Sequence, residues 1–385
     1  LLDAAAYDLG ISPAEIRRRN FIPPNAMPFE TVLGSVYDSG EFARNLEDAL
    51  QISSWENFEA RREAAKAKGK LRGIGLASYI EKCAGGSPEE ARLEVSSDGH
   101  VTLYIGTQSN GQGHETAFRQ IISERLGISF EEISIVQGDS DRIETGGGTM
   151  GSRSVPVGGS AISATAAILI EKAKLKAAEM LETAIDDIEF ENGEFKIVGT
   201  DRSESFKSVA QAAAPADGSA SFDEKESFAP SEATYPNGTH VCELEIDEAT
   251  GTIEVVDYTV VDDFGKTINP LLLEGQVHGG IAQGLGQALL ENCAYDAESG
   301  QLIAATFMDY TMPRASNFPE IRFKRNEVPC LTNPLGIKGA GEAGAIGAPP
   351  AIINAVVNAL KDYGVRHVDM PVTSTKLWQL MQSSA

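Results

Sequence analysis

The sequence predicts an α+β protein, with mixed sheets and packed helices. Three observations carry this. Runs with strand-like two-residue alternation pair up around Asp98-Gly99 and Asn192-Gly193, which are hairpin turn dipeptides. Runs with apolar residues three and four apart separate them and read as helices. Strands and helices do not alternate strictly, as a doubly wound parallel sheet would require.

The elements follow in order. Residues 1–20 read as helix, with Ser12 as a cap and Pro13 at the first helical position. A second helix, rich in Ala, Glu, Arg and Lys, covers about residues 40–67. The KGKLRG segment then marks a domain boundary, dividing a helical unit over 1–70 from a larger unit over 71–385. Leu93 and Val95, then Val101, Leu103 and Ile105, form the two arms of the first hairpin. From Glu115 the pattern is helical, with Phe118, Ile121, Ile122 and Leu126 on one face and Gly127 as the stop. Residues Ile133 to Val136 read as a short buried strand ahead of a long Gly-rich loop, and a helix runs from about Ala161 to Leu181. The second hairpin turns at Asn192-Gly193. Residues 211–232 are rich in Ala, Pro, Ser and Asp and read as a linker or surface loop, dividing the larger unit into α+β halves of about 71–210 and 233–385.

Strands resume over 241–247 and 252–265, and a helix over 271–291 carries Gly275, Gly279, Gly280, Gly284 and Gly286. Each glycine costs a helix about 1 kcal/mol relative to Ala, so close backbone packing is expected to repay them. Pro349-Pro350 opens the last long helix, with Ile352, Ile353, Val356, Val357 and Leu360 inward.

A net charge of -24 over 385 residues argues against a nucleic-acid partner, because a phosphate backbone repels such a surface. No segment reaches the ~20 apolar residues needed to cross a bilayer. The opening residues lack the order of a signal peptide and the chain has no initiator Met, which suggests processing, a split chain or a fragment. Cys83, Cys242, Cys293 and Cys330 are far apart and form no iron–sulfur or zinc pattern; they read as reduced thiols of a cytoplasmic protein.

Three Gly-rich segments look like chemistry: GTQSNGQGHET (106–116), GGGTMGSRS (146–154) and KGAGEAGAIG (338–347). Each precedes a helix, where glycine lets the main chain approach a ligand and unpaired N–H groups face an anion. Any one such loop is more often structural; together they suggest one large or phosphorylated ligand held from several sides. Glu342, among small residues and ahead of an apolar helix, would lose hydration there, and its carboxyl would rise toward the range of a general base. Its bland reading is a solvent-facing or helix-capping carboxylate. His114 reads as a hydrogen-bonding loop residue rather than a metal ligand. Arg153 could pair with phosphate or tie down its own loop.

These motifs, with the EGQVHGGIAQGLGQAL helix and KGAGEAGAIGAPPAIINAVVNAL in the same order, resemble the molybdopterin-binding part of xanthine dehydrogenase, aldehyde oxidase and carbon monoxide dehydrogenase large subunits. The opening LGISPAEIRRRNFI is similar to the end of that family's first molybdenum domain, so residues 1–70 would be a remnant of it. The resemblance implies Glu342 as catalytic base. It implies cofactor contacts from Gly111, Gln112 and Gly113, and nucleotide or pyrophosphate contacts from His114, Glu115 and Thr116. Gly151, Ser152, Arg153 and Ser154 would lie on pterin and phosphates, Gln276 would hydrogen-bond the pterin, and Gly339, Ala340 and Gly341 would complete the loop. Molybdenum would be held by the pterin dithiolene, with no protein ligand. The implied protein is part of a hydroxylase of aldehydes or N-heterocycles that takes its oxygen from water. It implies a molybdopterin cytosine dinucleotide cofactor, and 2Fe-2S and FAD groups on partner subunits. Family large subunits are about twice this length, so the remainder of the large subunit is a further partner. The competing expectation is a non-catalytic scaffold that keeps the fold.

Overall fold

The computed structural model describes residues 1–383 and builds them on two four-stranded sheets, each with its own helices and core. The N-terminal helix of the sequence reading is two helices, α1 (Leu2–Leu9) and α2 (Pro13–Asn20), because Gly10 turns left-handed at φ +66°. Ser12 caps α2, its hydroxyl accepting from the Glu15 N–H at 3.1 Å. A short hairpin, β1 (Phe29–Glu30) and β2 (Val36–Tyr37), follows. The helix expected over 40–67 is also broken, into α3 (Phe42–Ile52) and α4 (Phe58–Lys66), with Ser54 at φ +50° between them. Good helix formers flank that break, so composition hid it.

The first sheet is built from β4 (Glu89–Val95), β5 (Val101–Ile105), β6 (Ile133–Gln137) and β10 (Phe222–Phe228), in the order β10-β4-β5-β6; a separate sheet, β3 (Lys70–Ile80), β11 (Asn237–Asp247), β12 (Ile253–Asp263) and β13 (Ile321–Arg325), runs β13-β12-β11-β3. Between these lie α5 (His114–Leu126), α6 (Ser160–Leu181), the β7–β9 sheet (Ile188–Glu191, Glu194–Ile197, Ser203–Ser205) and α7 (Phe206–Ala212). Three helices complete the chain, α8 (Pro270–Leu285), α9 (Ala343–Ala359) and α10 (Ser374–Ser383).

Two details redraw the expected division. Strand β3, at the start of the first proposed half, pairs with β11 of the second over its whole length. Strand β10, inside the expected linker, pairs with β4 from Phe222 to Phe228. Its charged run FDEKESF masked it, and an edge strand with one open face tolerates those charges. The N-terminal helices are not a separate body either. Leu46, Ala49 and Phe58 share a core with Ile74, Leu76, Val241 and Val261 of the second sheet.

The glycine helix α8 packs on α9 as expected for part of its length. A Cβ at Gly280 would stand 2.9 Å from the Gly344 Cα, and one at Gly284 would stand 2.8 Å from the Ala348 Cβ. Gly275 and Gly279 instead face open space. Helix α9 begins at Ala343, before Pro349-Pro350, which lie inside it. Its other face presses on β3, where Gly73 and Gly75 leave no room for a side chain: a Cβ would lie 2.0 Å from the Ala355 carbonyl oxygen and 2.2 Å from the Ala355 nitrogen respectively. This contact seats the C-terminal half of α9 on the sheet, while the approach of Gly280 to Gly344 seats its start, next to Glu342.

Candidate active site

Four helix starts open on one cleft of 390 Å³. His114 begins α5, Ser154 begins the turn leading into α6, Asn269 caps α8, and Glu342 stands at the N-cap of α9; all four residues line the cleft. Unpaired N–H groups and the positive ends of four helices thus converge where an anionic ligand would sit.

The cleft gathers ten of the residues singled out in the sequence: Gln112, His114, Gly151, Ser152, Arg153, Ser154, Gln276, Ala340, Gly341 and Glu342. It does not gather the others. Glu115 and Thr116 are exposed on the first turn of α5. Gly111 and Gly113 flank Gln112 at φ +101° and +82° and shape the loop from behind its lining. Gly339 is pressed between Ser152 and Cys83, where a Cβ would come within 2.6 Å of the Ser152 carbonyl oxygen.

Local structure explains several placements. Burial holds His114 below the usual histidine range, opposed by its contact with Gln137 at 3.3 Å, so the ring is neutral at pH 7. The ring packs beside Phe118, with ring centroids 5.1 Å apart. Arg153 corrects the phosphate expectation. Its guanidinium is 5 % exposed, pairs with Glu89 at 2.6 Å, and donates to the carbonyls of Gly148, Ser87 and Pro88. The cation is spent on tying down its loop, and the cleft receives the loop it shapes. Lys338 is committed in the same way, to Asp263 at 2.6 Å with both side chains fully buried.

Glu342 departs from the expected desolvation. It is exposed, at the mouth of the cleft, and its side chain makes no capping bond to α9. The buried carboxyl is its neighbour Glu81, which the sequence reading passed over. Glu81 is 7 % exposed, accepts from the Ser152 hydroxyl at 3.2 Å, and lies close enough to Glu342 to feel its charge. Burial first, and then the Glu342 charge, push the Glu81 carboxyl up to about 7, against the pull of the Cys83 and Ser152 hydrogen bonds. The sequence reading also missed Lys266, Asn269 and Phe264 on the cleft wall. Lys266, exposed just past the end of β12, brings the cleft a cation.

The walls suit a large phosphorylated group. Among the residues that line them, Gly151 adopts φ of +53° with no atom within 4 Å of where a Cβ would be, and Lys266 adds a cation. Such a fold and site define a binder of an extended anionic cofactor. The chain matches the family model for the molybdopterin cofactor-binding domain over residues 48–319 and belongs to that family. It is 35% identical to the carbon monoxide dehydrogenase large chain of Hydrogenophaga pseudoflava over 402 residues, covering 99% of this chain and 50% of that one. It is likewise 35% identical to the gamma subunit of the 6-hydroxypseudooxynicotine dehydrogenase complex of Paenarthrobacter nicotinovorans, covering 99% of this chain and 49% of that one. Its fold superposes on the crystal structure of quinoline 2-oxidoreductase from Pseudomonas putida 86 with a TM-score of 0.93 at 34% identity, over 99% of this chain and 51% of that one. The chain spans about half the length of the curated relatives it matches.

Proposed function

We propose that this chain is the molybdenum-cofactor-binding part of a hydroxylase that oxidises an aldehyde or an N-heterocycle with water as oxygen source, and that Glu342 is its base. The observation that carries this is the position of Glu342. It stands at the start of α9 on the cleft wall, and its own helix does not use its side chain as a cap. A carboxylate that its own helix leaves uncapped is available to take a proton from a group in the cleft.

When bound, the molybdenum cofactor supplies a metal that acidifies water and accepts two electrons. The chain supplies the rest. Gln112 and Gln276, both on the cleft lining, could each donate and accept hydrogen bonds at a pterin edge. The starts of α5 and α8, with Lys266, would hold the phosphates. The cytosine dinucleotide form, 2Fe-2S and FAD partner subunits, the remainder of a large subunit and a cytoplasmic setting belong to the same proposal. The likeness to carbon monoxide dehydrogenase and quinoline 2-oxidoreductase supports it.

The test is Glu342→Gln in the assembled enzyme, assayed with benzaldehyde and quinoline and a dye acceptor. The proposal expects turnover to fall at least about 100-fold with molybdenum content unchanged. Turnover near that of the unaltered enzyme would remove Glu342 from the role.

A further inference from the structure

The reading above gives Glu81 no role, yet Glu81 is built into the wall behind the proposed base. It follows β3 directly, and its N–H donates to the Pro236 carbonyl at 2.9 Å. One carboxyl oxygen accepts from the Ser152 hydroxyl at 3.2 Å. The other, Oε2, is buried with no hydrogen-bond partner among the described residues. Ser152 is itself held in place: its backbone is left-handed at φ +52°, and Gly341 passes so close that a Cβ there would stand 3.1 Å from the Ser152 hydroxyl.

The titratable side chains that act most strongly on Glu81 are acidic or neutral. Glu342 reaches it from the start of α9, Cys83 from the strand end, and Tyr79 lies near it on β3. The buried cation of the same loop, Lys338, is consumed by Asp263. Two neighbouring carboxylates, one of them buried, cannot both stay ionised at little cost, so the pair retains a proton. Position decides which member holds it. Glu342 is exposed to solvent at the start of a 17-residue helix. Glu81 is buried, with one oxygen unpartnered, and an ionised form there would lack solvation.

We propose that Glu81 is a positioning residue that carries the proton of the pair and donates its O–H to the Glu342 carboxylate, aiming that carboxylate into the cleft. This rests on the reading of Glu342 as base for its kinetic consequence, but not for the proton itself. The lone Oε2 is then the donor oxygen, and its partner is the side chain the mechanism needs held still. A neutral donor also steadies Glu342 without matching it with a buried cation, which would lower its basicity.

The test has two arms. In the full chain, infrared spectroscopy reads the carbonyl band of a buried protonated carboxylic acid, isolated by subtracting the spectrum of Glu81→Gln. The band is expected at pH 6, to fade with a midpoint of about 7, and to show a lower midpoint in Glu342→Gln, where the neighbouring negative charge is gone. In the assembled enzyme, Glu81→Leu is expected to lower kcat about 10- to 100-fold, the worth of one charge-assisted hydrogen bond, with KM and molybdenum content held. Glu81→Gln, whose amide N–H can donate in place of the acid, is expected to recover most of that loss. Absence of the band at pH 6, a midpoint that Glu342→Gln does not move, or Glu81→Leu turning over like the unaltered enzyme would each overturn the proposal. Full activity in Glu342→Gln with the band present would instead overturn the reading of the base and leave the Glu81 proton standing.

Discussion

Arg153 and Glu89 form an ion pair at 2.6 Å with side chains 5 % and 0 % exposed, and that pair holds the second Gly-rich loop against the first sheet. The Gly147 N–H adds a bond to the same Glu89 carboxylate at 3.1 Å. Removing one member leaves a charge buried without its counterion. Glu89→Gln is therefore expected to destabilise the chain by roughly 3–5 kcal/mol in urea unfolding. An effect below about 1 kcal/mol would mean that the pair is solvated in practice.

Gly75 on β3 gives a second prediction. A Cβ there would sit 2.2 Å from the Ala355 nitrogen and 2.4 Å from the Ala351 carbonyl oxygen, both main-chain atoms of α9 that cannot step aside alone. Gly75→Ala is expected to cost about 1–3 kcal/mol, and by displacing α9 to loosen the position of Glu342. A thermal melt of the variant checks the first point. Molybdenum retention in the assembled enzyme checks the second. Gly279→Ala, at a position with open space, is expected to leave stability unchanged or slightly raised.

His114 makes stability depend on acid. Burial lowers its folded-state pKa below the unfolded value of 6.5, so the unfolded chain binds the proton more readily. The stability associated with neutral His114 is fully present above pH 6.5 and is lost as pH falls through the lowered folded-state value. His114→Gln removes that proton uptake. Its unfolding midpoint should fall less between pH 7.5 and pH 5 than that of the unaltered chain, and an equal fall would contradict the assignment.

Much of this fold can be read from local chemistry, and the losses have a common cause. Asp98-Gly99 and Asn192-Gly193 announce their hairpins because a tight turn needs positive φ, and Asn192 and Gly193 take φ of +50° and +79°. Gly127 marks the end of α5 for the same reason, at φ +63°. What could not be read locally was partnership over long sequence separation. Nothing in Lys70–Ile80 says that its strand partner lies at Asn237–Asp247. The same limit applies to the cleft. Three glycine loops and Glu342 were legible because their composition is unusual. Glu81 was not, because SYIEKC reads as an ordinary strand end. Its burial comes from Ser152 and the Glu342 loop, far along the chain. Arg153 was legible as an important cation but not as a spent one, since its counterion Glu89 lies 64 residues away.

The most direct measurement of the central claim is cofactor analysis of the purified full complex that contains this chain. Metal analysis for molybdenum should be run alongside acid release of nucleotide from the cofactor. The account predicts molybdenum in proportion to this chain, with cytidine monophosphate released in the same proportion. A complex that assembles with its partner subunits yet carries neither molybdenum nor pterin would contradict it, and would make the cleft a relic on a scaffold.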